Sequence, residues 1–196
     1  MRKIFVIGRD PVPAEFVLGP SESLEISLVV LPGVSCEENV RISLDGEGAS
    51  ASVRGLFLCK GDEKVTLNVD LVHARQGCSS DQLFKGIAGG SARACFNGRI
   101  LVVKDAQKTR AFQACHSLLL SDKARVEARP QLEIYADDVE CSHGATSGSL
   151  NPDEQFYMRS RGIPEQEARR LQMISFLSAV MEGLGEEMQG EILSAI

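Results

Sequence analysis

Residues 130–164 read PQLEIYADDVECSHGATSGSLNPDEQFYMRSRGIP, and two periodicities meet within them. Leu132, Ile134 and Ala136 alternate with Glu133, Tyr135 and Asp137, the period of a strand with one apolar face. Asp137 and Asp138 interrupt this run. An extended segment resumes at Val139, and in it Cys141 and His143 are two residues apart, so a strand would carry thiol and imidazole on one face. After Gly148 the pattern changes. Asn151-Pro152-Asp153-Glu154 combines an Asn N-cap, Pro at the first helical position and acids in the first turn, which predicts a helix start. A β-rich body therefore hands over to a helical tail within this stretch. The expected division is 1–148 for the body and 149–196 for the tail.

Upstream, short apolar alternating runs recur at 4–7, 24–31, 40–44, 51–58, 65–72, 92–103, 111–120 and 132–136. Gly, Asp, Asn or Ser breaks separate many of them, as at Asp45-Gly46, Lys60-Gly61-Asp62 and Gly89-Gly90. Many short strands with turn signals predict a mainly β sandwich, barrel or solenoid. Arg75–Asp81 reads as a polar turn, Asp105–Arg110 as a polar corner, and Asn97-Gly98 as a hairpin turn or solenoid corner. The cysteines at 36, 59, 78, 95, 115 and 141 recur about every 20 positions, which favours a solenoid with one thiol per turn, stacked as a ladder. Residues 1–64 read as scaffold.

Downstream, Gly162 ends the first helix and Pro164 opens a second. Ala168, Leu171, Met173, Ile174, Leu177, Val180, Met181 and Leu184 form its apolar face. Gly183 and Gly185 break it, and 186–196 can form a last short helix. These faces are expected to pack on the end of the β body; the alternative is that part of their apolar surface docks a partner protein.

Composition narrows the function. The 196 residues carry 21 Lys and Arg against 27 Asp and Glu, a formal charge of −6, which disfavours nucleic acid as a partner. No window of about 18 apolar residues predicts a membrane helix, and the apolar run after Met1 is too short for a secretory signal. A cytoplasmic location with reduced thiols is the expectation. The chain has no G-x-x-x-x-G-K-[ST] phosphate loop, C-x-x-C, H-E-x-x-H or G-x-S-x-G. Ser142, His143 and Asp137 contain the atoms of a hydrolytic triad, but sequence neighbours on a strand rarely converge. Cys141-x-His143, with Cys115 28 positions before His143, offers soft and borderline donors suited to iron, zinc or iron–sulfur clusters. Equally, the thiols can be small buried apolar groups and the histidine a structural hydrogen-bonder.

PQLEIYADDVECSHGAT followed by FYMRSRGI resembles the SufB/SufD family of iron–sulfur cluster assembly proteins, and the SufD branch in particular. The blocks HARQGCSSDQLFKGI, ARACFNGRILV and AQKTRAFQACHSLLLS extend that resemblance back to His73. It implies a right-handed parallel β-helix (solenoid) with a C-terminal α-helical segment, acting as a non-enzymatic scaffold. It implies pairing with a SufB/SufD-type chain and a SufC-like ABC ATPase held by the helices, with no ATP site on this chain. A transient iron–sulfur cluster would form at the dimer interface. By motif position, His143 matches the histidine implicated in that site, and Cys115 matches the cluster-accepting cysteine of SufB chains. The acidic residue that SufB places after the histidine is Gly144 here, which favours SufD. Because the β body starts almost at Met1, a minimal member forming a homodimer is a further expectation. The competing readings are a purely structural partner and a metal-dependent hydrolase using Cys115, Cys141 and His143.

Overall fold

The computed structural model describes residues 1–196. Eleven strands wind into two facing parallel sheets. The six-stranded sheet is ordered β1 (Arg2–Val6), β3 (Ser23–Val30), β5 (Ser50–Cys59), β7 (Ser79–Ala88), β9 (Thr109–Leu119) and β11 (Val139–Gly148). The five-stranded sheet is ordered β10 (Arg125–Ile134), β8 (Arg93–Val102), β6 (Lys64–His73), β4 (Cys36–Leu44) and β2 (Glu15–Leu18). Consecutive strands alternate between sheets and every ladder is parallel, so the chain is a β-solenoid of about five turns. Three helices follow: α1 (Pro152–Ser160), α2 (Glu165–Met181) and α3 (Glu186–Ala195).

Alternation explains the strands. In β6, Val65, Leu67, Val69 and Leu71 are buried while Lys64, Thr66, Asn68 and Asp70 face outward. The inward rows of both sheets meet in one hydrophobic core that includes Ile42, Phe57, Leu71, Phe84 and Phe96. Residues stacked on successive turns lie 23 to 32 positions apart, from Arg2 and Glu25 in the first turn to Arg93 and Arg125 near the last. A turn of two strands and two corners needs that length, so the expected 20-residue cysteine ladder is not formed. Cys36 is opposite Val65, Cys59 opposite Ala88, and Cys141 opposite Ala111.

Three local expectations are also revised. Asn97-Gly98 is neither a hairpin nor a corner but the middle of β8, paired on both sides. Asn97 continues an outward amide ladder, donating to Asn68, which donates to Asn39. Gly98 faces inward, where the Phe96 ring and the Gln113 carboxamide occupy the space of a side chain. The polar run ending at Asp81 conceals the start of β7, because Ser80 and Gln82 point into the interior. The strand read at 132–136 starts at Arg125. Pro130 is tolerated in it because β10 is the edge of its sheet.

The helix signals are realised. Asn151 Oδ1 accepts from the backbone N–H of Asp153 at 2.9 Å, and Gly162 and Gly183, with φ of +87° and +86°, follow the ends of α1 and α2. The helices pack on the outer face of the six-stranded sheet rather than on the end of the solenoid. Met173, Leu177, Val180 and Met181 of α2 join Leu56, Leu58 and Ile87 of β5 and β7 in a second hydrophobic cluster. Lys85 of β7 donates to the Phe176 carbonyl at 2.7 Å, and Arg9 pairs with Glu191 of α3. Leu171, expected in the apolar face, is instead exposed.

Candidate functional site at the open end of the solenoid

β10 and β11 make the last turn, and nothing in the chain pairs with their outer edges. Such edges present a row of free backbone donors and acceptors. In β11 only Val139 and Cys141 are even half-buried, and every residue from Ser142 to Gly148 is exposed. His143 therefore lies open on the terminal strand. Register gives it the same orientation as the inward row of β9, because His143 is opposite Gln113, which is buried.

Cys115 lies one strand deeper on that inward row and is fully buried. Burial pushes its thiol up to about 12. Its partner across the ladder is Ala145, not His143. Turns stack here at a spacing of 30 residues, as Arg110 and Glu140 show, so a 28-residue separation falls two short and leaves the pair diagonal. With strands about 4.8 Å apart and about 3.3 Å per residue, their Cα atoms are about 8 Å apart. Cys141 shares the inward side of β11 with His143, and burial raises its thiol pKa.

The arrangement suits some chemistry and not other kinds. Ser142 and His143 are consecutive in β11 and point to opposite sides of the sheet, so with Asp137 they do not assemble a triad. No group of three His, Cys, Asp or Glu residues lies close enough to hold a metal ion. What the end presents is one exposed imidazole, one half-buried thiol and one buried thiol on a single face, beside an edge that a second chain can extend. Two further interior residues went unnoticed in the sequence. Gln82 and Gln113 are opposite one another and join through Gln113 Nε2 and Gln82 Oε1 at 3.3 Å. Their only sequence signal is the inward parity of two strands, one of which was hidden.

A second surface lies on the helices. Phe156 and Tyr157 of α1 are 73% and 60% exposed. Tyr157, with Met158, Leu171 and Ser175, lines a groove of about 620 Å³ between α1 and α2, while Phe156 stands on the neighbouring face of α1. The acids Asp153 and Glu154 form its rim. No helix is long and apolar enough to cross a membrane.

Comparison with known proteins places these features in context. The family described as "SUF system FeS cluster assembly, SufBD core domain" matches residues 17–176. The chain is 37% identical over 168 residues to the iron–sulfur cluster assembly protein SufD of Escherichia coli, covering 85% of this chain and 40% of that protein. It is 32% identical over 165 residues to SufD of Bacillus subtilis, covering 84% and 38%. A SufBD family protein of Synechocystis is 44% identical over 104 residues, covering 53% and 23%. The chain thus spans well under half the length of these relatives.

Proposed function

The chain belongs to the SufBD family of iron–sulfur cluster assembly proteins, and from that premise we propose that it is a cytoplasmic, non-enzymatic scaffold subunit of a SUF-type assembly complex. Its C-terminal helices dock a SufC-like ABC ATPase, and its last solenoid turn pairs with a SufB/SufD-type chain or a second copy of itself. His143, with Cys115 behind it, faces the nascent cluster across that pairing.

The observation that carries the docking role is the exposed Phe156–Tyr157 pair. The same helical region spends Met173, Leu177 and Val180 on the sheet yet leaves Phe156 exposed and Tyr157 and Leu171 open in a groove. Clustered aromatics are the usual anchors of protein interfaces. The open β11 edge supports the pairing role, since backbone pairing needs no further preparation there. Cys115 is shielded by the last turn, so cluster chemistry at its sulfur requires that turn to shift. An ATP-driven distortion of the complex supplies such a motion.

Removing the helices would uncover Leu56, Leu58 and Ile87, so the test uses surface substitutions. Co-purification of the cognate ATPase with wild type and with the Phe156→Ala, Tyr157→Ala double variant is expected to show at least tenfold weaker retention by the variant. Equal retention, with both proteins folded, overturns the docking assignment.

A further inference from the structure

The carboxamides of Gln82 and Gln113 form a short ladder inside the last turns. Both residues are nearly inaccessible, at 1% and 3% exposure. Each has one polar atom with no partner: Nε2 of Gln82 and Oε1 of Gln113. Buried polar atoms without partners are uncommon and costly, so each calls for an explanation. For Gln82 it is local, because the next residue in its row is Val53, which offers no side-chain acceptor. For Gln113 the next residue in the row is His143.

The amide geometry gives this neighbour relation a direction. Gln113 Nε2 is held on the β7 side by Gln82 Oε1. Gly98 of the facing sheet leaves the room that this carboxamide occupies. A planar amide whose nitrogen turns toward β7 turns its oxygen away from it, and β11 lies on that side. The oxygen is an acceptor, and a neutral imidazole has one N–H to give.

We propose that Gln113 is a positioning residue for His143: the structure leaves Oε1 without a partner, and a turn of the exposed His143 side chain toward the inward row lets that oxygen accept one ring N–H, which fixes the tautomer and leaves the other ring nitrogen free toward the pairing edge. Histidines that bind metals commonly have one ring N–H held in this way. The inference deepens the cluster-facing reading of His143 and rests on it for its purpose, though the hydrogen bond can be tested without any metal.

The test is nitrogen-detected imidazole NMR of the full chain labelled with ¹⁵N-histidine, at a pH above the imidazole range. His143→Ala assigns its signals among the three histidines. Wild type is expected to show His143 as one tautomer, with widely separated nitrogen resonances. Gln113→Leu should move them to the averaged positions of an unrestrained ring, while Gln113→Glu, which keeps an oxygen acceptor, should restore the separation. Unchanged His143 signals in a folded Gln113→Leu protein overturn the proposal. Should Gln113→Leu fail to fold, the wild-type spectrum decides alone, since a tautomer mixture there is equally fatal. Iron and sulfide reconstitution of His143→Ala is read separately. If that variant assembles cluster normally, the ligand reading falls and the NMR result on the hydrogen bond still stands.

Discussion

Cys115 and His143 sit on the same inward face of adjacent strands but two residues out of register, with Ala145 opposite the cysteine and Gln113 opposite the histidine. The imidazole is open to solvent and the thiol is sealed. This asymmetry predicts reactivity. Thiolate is the reacting form, and a thiol pushed up to about 12 is ionised to roughly one part in ten thousand at pH 8. Cys59 is buried and likewise pushed up to about 12, whereas Cys95 and Cys141 are half-exposed. Timed alkylation of the native chain, read by peptide mass spectrometry, should mark Cys95 and Cys141 at least tenfold faster than Cys115 and Cys59. If Cys115 reacts as quickly as Cys95, the closed last turn is not its resting state.

The same pair predicts cluster assembly. Thiolate and imidazole are both competent toward iron, but one copy of this chain brings no three such groups together. Anaerobic iron and sulfide reconstitution of the assembled complex should therefore lose most of its cluster absorbance in Cys115→Ala and in His143→Ala. Cys141→Ala, which removes the thiol of this face that is not assigned to the cluster, should retain it. Full absorbance in all three variants would remove this end of the solenoid from the cluster site.

Much of this was legible in the sequence, and what was hidden has physical reasons. The strand periodicity of residues 65–72 and the Asn151-Pro152 cap could be read directly because the signal is local. The β7 strand was hidden because solenoid interiors admit polar side chains: Ser80 shares a hydrogen bond with His73, and Gln82 shares one with Gln113. Gly98 passed for a turn because a glycine under an aromatic ring looks, in the letters, like a glycine at a corner. The common face of Cys141 and His143 was accessible from their two-residue spacing. The diagonal offset of Cys115 from His143 was not, since it depends on corner lengths that vary from turn to turn.

His73 supplies a pH test of the interior. It is fully buried at the end of β6, with Nε2 2.9 Å from Ser80 Oγ and no partner for Nδ1. Burial lowers its pKa from an ordinary 6.5 to about 4. The unfolded chain then binds a proton that the folded chain refuses between those values, so stability contributed by the neutral ring is complete above pH 6.5 and declines as pH falls toward 4. The full difference is on the order of 3 kcal/mol. Urea midpoints should fall between pH 7 and pH 4.5 in wild type, and less steeply in His73→Gln. Parallel pH profiles for the two proteins would mean that His73 is not the responsible group.

The interior packing of β5 and β7 makes a last prediction. Gly55 is opposite Phe84 and Phe57 is opposite Gly86, so each ring lies over its neighbour's glycine. A side-chain carbon on Gly86 would overlap the Phe57 ring, and one on Gly55 would overlap Phe84. Phe84 has little room to yield, since its ring centroid is 4.2 Å from that of Phe96. Overfilling a packed core costs about 1–3 kcal/mol. Gly86→Ala should therefore lower the unfolding free energy from urea titration by that amount. Phe57→Leu alone should also destabilise, by leaving a cavity. Together the two should cost clearly less than their sum, because the smaller side chain yields the volume the new methyl needs. Strict additivity in the double-mutant cycle would show that the overlap is relieved elsewhere and that this ring–glycine pairing does not limit the packing of the solenoid.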